Sequence, residues 1–131
     1  MTIHYAYWNE YFGYKFTISD EDASTLPKWS KQEKFPPLSP RVAIENSKIA
    51  IQRILQEIEP FEPKFSSCAL TIGGHDDGEW WYYLVSWYVP DLADTASDWS
   101  EFSIPVLFDG STPDPIKFKF EDRFDIYRSS N

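Results

Sequence analysis

The spacing of apolar side chains is helical between residues 39 and 59 and becomes alternating between residues 64 and 120. Ser39 suits a helix N-cap, Pro40 suits the first helical position, and Pro60 marks a stop. Val42 and Ile49 fall on the polar side, where we expect the N-terminal segment to contact them. Steps of about 100° per residue bring the other apolar residues onto one side: Ala43, Ile44, Ala50, Ile51, Ile54, Leu55 and Ile58. The pattern predicts an amphipathic helix that packs on a sheet.

Alternating segments follow the helix. "KFSSCALTIGG" and "EWWYYLVSWYVP" flank "GGHDDG", which predicts a hairpin. "EFSIPVLFDG" alternates next, and Pro105 marks this strand as an edge strand or as bulged, because proline cannot donate to a ladder. "IKFKF" alternates again, with Ile116, Phe118 and Phe120 expected to point inward. Before the helix, every second residue is apolar in one segment, which predicts one strand: Phe12, Tyr14, Phe16 and Ile18. A capping serine, Ser19, with an acidic residue three positions later, Asp22, predicts a short helix or turn after it.

This order of elements predicts an α+β fold, with one long amphipathic helix packed on a curved antiparallel sheet of about four or five strands. The length predicts a single domain over residues 1–131. Within it we expect an N-terminal strand and proline-rich lead at 1–38, the helix at 39–59 and an antiparallel meander at 64–120.

The strand with the most aromatic residues has two apolar sides. The odd-numbered side (Trp81, Tyr83, Val85, Trp87 and Val89) is uninterrupted and is expected to face the helix. The even-numbered side (Trp80, Tyr82, Leu84, Ser86 and Tyr88) then requires cover from the N-terminal aromatic residues, a second subunit or a ligand. If a partner covers it, Trp80, Tyr82 and Tyr88 are the candidate contact residues.

Acidic residues outnumber basic ones by 21 to 12, which gives a formal net charge of -9. A field of that sign disfavours nucleic acid and either attracts a basic protein or keeps the chain soluble. The segment "DLADTASDWSE" places Asp91, Asp94, Asp98 and Glu101 at intervals of three and four residues. We take these four carboxylates as a candidate acidic contact for a basic partner.

Catalytic and metal-binding patterns are sparse. The chain has two histidines, His4 and His75, and one cysteine, Cys68, within a strand-like run that predicts an inert buried thiol. No G-x-S-x-G elbow or phosphate-binding loop occurs, and "HDDGE" lacks the spacing of a calcium loop. We therefore expect no catalytic residue, no metal and no cofactor.

Three stretches carry a resemblance: "PPLSPRVAIENSKIAIQRIL", "WWYYLVSWYVP" and "FSIPVLFDGSTPDPI". They resemble the small PepSY-like, cystatin-like domains, and also a group of short bacterial proteins with a "PPLSP" helix start and a "WYYLV"-type strand. The first resemblance implies a helix on a curved antiparallel sheet and a role in binding or restraining other proteins. It implies no catalytic constellation, and no functional residue is carried over.

Together these features favour a non-enzymatic protein-interaction domain, of the immunity or inhibitor type, that masks a basic partner. One alternative is a homodimeric module that associates through the aromatic side of the sheet. The other is a hydrolase or sugar-binding protein acting through the loops around His75 and Asp91. With neither a signal peptide nor a membrane-spanning run in the sequence, a cytoplasmic location without membrane contact is expected.

Overall fold

A computed structural model describes residues 1–30, 32–58, 60–73, 80–92 and 99–123. The fold is α+β, as predicted. The strands are β1 (Thr2–Trp8), β2 (Phe12–Ile18), β3 (Lys64–Ile72), β4 (Trp81–Pro90), β5 (Trp99–Val106) and β6 (Ile116–Lys119). The helices are α1 (Asp20–Ser24) and α2 (Pro40–Ile54), and a 3-10 turn covers Phe120–Asp122.

Helix α2 begins as the sequence predicts and ends earlier. The Ser39 hydroxyl accepts a hydrogen bond of 3.2 Å from the backbone N–H of Val42, and Pro40 opens the first turn. Leu55 leaves helical geometry, with φ of -103° and ψ of 26°. Residues 55–58 continue as turns rather than as helix, and residue 59 lies outside the described residues. Pro60 has no N–H to bond the carbonyl of Gln56, which disfavours a further helical turn here.

The apolar side of α2 packs against β4 and β5. Its buried residues are Ala43, Ser47, Ala50 and Ile51. They share one core with the odd-numbered residues of β4, so the predicted helix-facing side of that strand is confirmed. Val42 and Ile49 remain exposed on the opposite side of α2, which corrects the expectation that the N-terminal segment contacts them.

The strands form two sheets, so the predicted single sheet of four or five strands is wrong. One antiparallel sheet has the order β3-β4-β5, and the other has the order β1-β2-β6. β5 lies at an edge, as Pro105 predicted. β6 does not continue the meander, because the connection after Val106 is too long for a tight hairpin and carries prolines at positions 113 and 115.

The second sheet begins with a hairpin where the sequence predicted one strand. β1 pairs with β2, and the register shifts between Tyr5 and Tyr7. Because of this irregularity, the residues of β1 that face the core change from even-numbered to odd-numbered along the strand. The sequence of β1 therefore lacks the strict alternation of apolar and polar residues that predicts a strand. The Asn9 carboxamide oxygen accepts hydrogen bonds from the backbone N–H groups of Tyr11 (2.8 Å) and Phe12 (2.9 Å) and so fixes the turn.

Phe118 of β6 packs on the side of this sheet that faces away from α2, directly over Gly13. A Cβ at position 13 would lie 2.4 Å from the Phe118 ring. Phe118 is therefore buried, whereas Ile116 is 47 % exposed, which corrects its expected inward position.

Aromatic contacts join the two sheets. β1 lies alongside β5, and the ring of Tyr7 stacks on Phe102 with centroids 6.2 Å apart. Tyr14 meets the same phenylalanine at 5.4 Å. In the described part of the chain no ladder of strand pairing links β1 to β5, so side chains hold the sheets together.

Candidate functional site

The outward side of β4 is divided between a covered end and an open end. Trp80 and Tyr82 are buried, and their rings lie 5.4 Å apart. They belong to a small second core whose other buried members are Ile18, Ala23, Leu26 and Leu107. The start of this cover is fixed by Ser19, whose hydroxyl caps α1 by accepting from the N–H of Asp22, as the sequence predicted.

The residues of this second core cover the beginning of β4. Among the kinds of cover expected from the sequence, the N-terminal segment is the one that reaches Trp80 and Tyr82. It does so through the end of β2 and through α1 rather than through aromatic rings, and Leu107 from after β5 completes the cover. Burial raises the pKa of the Tyr82 hydroxyl. The role of Trp80 and Tyr82 in partner binding stays a prediction that would require α1 to move.

Tyr88 lies at the open end of the same side and is 40 % exposed. In the three-stranded sheet it stands between Lys64 of β3 and Glu101 of β5. The hydroxyl of Ser66 donates to the Glu101 carboxylate at 3.2 Å. Because directly opposed residues in an antiparallel sheet share a side, these groups form a continuous polar and aromatic strip.

Trp99 extends this strip. It is 42 % exposed and pairs with Pro90 at the end of β4. The ammonium of Lys64 lies 4.5 Å from the centroid of the Trp99 ring, within the range of a cation–π interaction. The sheet therefore already holds one cation against an exposed indole.

A cleft of about 480 Å³ separates β1 from β5 beside this strip. Its lining comes from residues 5–8 of β1 and from Ser100 and Glu101 of β5. Trp8 stands on the β1 side and is 52 % exposed. The cleft exists because the two sheets approach each other here without backbone pairing, and it brings Trp8 to the same opening as Glu101.

We name the exposed groups of this cleft and of the adjoining strip the aromatic–acidic surface: Trp8, Tyr88, Trp99 and Glu101. Tyr88 and Glu101 were candidate contact residues from the sequence. Trp8 and Trp99 were missed, because a ring's exposure depends on which strands neighbour it in space. A usable signal was the position of Trp99 within "SDWSE", where an indole lies between acidic residues.

Two of the four acidic candidate residues, Asp91 and Glu101, belong to the described part of the chain. Asp91 is half-buried directly after β4, and Glu101 is exposed on β5. Asp94 and Asp98 lie outside the described residues. Whether all four carboxylates form one contact therefore stays a prediction.

The groups considered for catalysis are separated. His75 lies outside the described residues, and His4 is half-buried on β1. Burial lowers the pKa of the His4 imidazole, and its Nε2 atom finds no hydrogen-bond partner among the described residues. Cys68 is a half-buried free thiol whose pKa is raised by burial, a change that lowers its reactivity at neutral pH.

Among the described residues, no three histidine, cysteine or acidic side chains lie together in a way that could hold a metal ion. None of the helices in the described ranges has the length and apolarity needed to cross a bilayer.

Comparison with protein-family models gives no match, and comparisons with curated proteins and with solved structures give none either. The PepSY-like and cystatin-like resemblance is not tested by these comparisons and stays a prediction.

Proposed function

We propose that this chain is a non-enzymatic protein-interaction domain whose aromatic–acidic surface binds a basic partner. The observation that carries the proposal is that two exposed rings, Tyr88 and Trp99, share one side of the sheet with Glu101, and that Glu101 also lines a cleft with the exposed Trp8.

Exposed rings in this number support a protein partner. Trp and Tyr are the residue types that most often dominate binding energy in protein interfaces, since they bury much area for little lost side-chain entropy. Trp8, Tyr88 and Trp99 come from three different strands, and the strands fix their backbones before any partner arrives. A surface prepared in this way loses little conformational freedom on binding.

The charge supports a basic partner. The formal net charge of -9 attracts cations to the molecule, and Glu101 places a carboxylate within the opening itself. The contact between Lys64 and Trp99 illustrates the chemistry, because an arginine or lysine of the partner would find equivalent ring faces at Trp8 and Tyr88. A partner held in this way would have its basic surface masked, as expected of an immunity or inhibitor-type protein.

The test is a selection of random 12-residue peptides displayed on phage, carried out on the wild-type protein. Peptides enriched in arginine or lysine are expected. Their binding should fall by about tenfold or more in the Trp99→Ala variant and in the Trp8→Ala variant, as for residues at the centre of an interface. Ile49→Ala is the matched control, because Ile49 is also an exposed apolar side chain and lies on the far side of α2.

A second experiment tests whether charge contributes to binding. Glu101→Gln should slow association with the selected peptides, and salt raised from about 0.1 M to about 1 M should weaken binding, because the Debye length shrinks from about 10 Å to about 3 Å. Selected peptides without excess positive charge, or binding equally strong in Trp99→Ala and Ile49→Ala, would overturn the proposal.

A further inference from the structure

The strand β3 has one free edge. It stands at the end of the order β3-β4-β5, and no strand in the described part of the chain pairs with its other edge. β3 is nine residues long, which is more than the usual length of a strand. Its free edge therefore offers several unpaired backbone groups in a row.

The hydrogen bonding of the hairpin identifies which groups these are. The N–H of Gly73 donates to the carbonyl of Trp80 at 2.8 Å, so these two residues form a hydrogen-bonded pair. Hydrogen-bonded pairs alternate along an antiparallel ladder, so Thr71 and Ala69 also bond to β4. The N–H and C=O groups of Ile72, Leu70 and Cys68 consequently point away from the sheet.

In the described part of the chain, the stretch of β3 from residue 67 to residue 72 lacks the features that keep edges from pairing. Natural edge strands carry charges, prolines or a covering element, but residues 65–72 of β3 contain no charged side chain and no proline. Helix α2 packs on β4 and β5, and it leaves Leu70 37 % and Ile72 38 % exposed on the helix-facing side. A single bulge between Phe65 and Ser67 interrupts the strand near its beginning.

We infer that the free edge of β3 pairs antiparallel with the same edge of a second copy of this chain. A two-fold axis at Leu70 would place that residue opposite its own copy and Cys68 opposite Ile72, so every outward donor would meet an outward acceptor. On the helix-facing side apolar residues would meet apolar residues. On the other side Ala69 would meet Thr71.

The absence of charge on this stretch makes it compatible with a second copy of the chain. Two chains with a formal net charge of -9 repel each other, and the repulsion is least where the facing strands carry no charge. The stretch from 65 to 72 is such a place. A basic partner would instead be drawn to the aromatic–acidic surface, so this inference does not depend on the proposed function.

Sedimentation velocity from micromolar to millimolar concentration tests the pairing. The wild type should change from monomer to dimer, and Leu70→Lys should weaken the dimer by more than about tenfold, because the two-fold axis sets the new charges against each other. Ile49→Lys makes the same change in chemistry at an exposed site on α2 and should leave the dimer unaltered. Added salt should strengthen self-association, whereas it weakens binding of basic peptides.

Chemical cross-linking tests the same pairing without introducing a charge into β3. In a Cys68→Ser background, Leu70→Cys should give covalent dimers with a short bifunctional thiol reagent. Gln52→Cys, exposed on α2, reports random collisions in the same background. A protein that stays monomeric at millimolar concentration, or equal cross-linking of the two cysteine variants, would overturn the inference and leave the proposed function untouched.

Discussion

The indole N–H of Trp87 donates a buried hydrogen bond of 2.8 Å to the hydroxyl of Ser47. This bond connects β4 to α2 through the middle of the core, where the exposed fractions of the two residues are 4 % and 0 %. The same hydroxyl donates to the carbonyl of Ile44 at 2.8 Å within the helix. A small polar residue that interrupts the apolar side of α2 thus satisfies the only polar atom of a large buried ring.

Replacing Ser47 by Ala should lower the free energy of unfolding by about 1–3 kcal/mol, because the buried indole N–H loses its partner. The better helix propensity of Ala offsets only about half a kcal/mol of this loss. Urea unfolding of Ser47→Ala, of Trp87→Phe and of the double variant gives the coupling between the two side chains. Additive losses would contradict a direct bond.

The loss of stability on replacing an isoleucine of α2 by alanine should increase with the burial of that isoleucine. Ile51→Ala should cost about 2–5 kcal/mol, since Ile51 is fully buried in the main core. Ile54 is half-buried against the same core, so Ile54→Ala should lower the stability by less. Ile49 is 64 % exposed and should change stability by no more than about half a kcal/mol. Chemical denaturation of the three variants checks the order, and an equal loss at Ile49 and Ile51 would mean that α2 packs in another orientation.

Gly13→Ala should destabilise the second sheet by about 1–3 kcal/mol. The added Cβ would lie 2.4 Å from the Phe118 ring and 2.8 Å from the carbonyl oxygen of Tyr7, so the strands must shift. In a Phe118→Ala background the same change should cost less, because the ring contact is gone. The thermal unfolding of the four proteins measures this difference, and an unchanged cost would locate the strain at the carbonyl alone.

Stability should fall between about pH 7.5 and about pH 5 because of His4. Burial lowers the pKa of its imidazole below the usual 6.5, so the unfolded chain takes up the proton first. The contribution is therefore complete above the unfolded pKa and is lost as the pH falls through the folded pKa. Urea unfolding across this range should show a weaker dependence in His4→Leu, and identical slopes would contradict the prediction. Most carboxylates titrate below this range.

Local patterns were the most predictable part of this molecule. The start of α2, the cap at Ser19 and the helix-facing side of β4 each depend on residues close together in the sequence. Capping geometry and period-two alternation act over a few residues, so a single sequence is enough to identify them.

The division into two sheets was not predictable in the same way. β6 alternates as well as any strand of the meander, yet it pairs with β2 because Phe118 fits over Gly13. A ring that packs on a glycine from the opposite end of the chain leaves no local signal. The same reason applies to the aromatic–acidic surface, where Tyr88 and Glu101 were predicted and Trp8 was not.

The pairing of β2 with β6 also affects how the protein forms during its synthesis. The partners are separated by about 100 residues, which a ribosome adds in roughly 5–20 s at ordinary rates. Until β6 emerges, the β1–β2 hairpin has an open edge and Gly13 lacks its covering ring. The nascent chain therefore carries an incomplete sheet throughout this interval, and that sheet closes only when residues Ile116–Lys119 are available to pair.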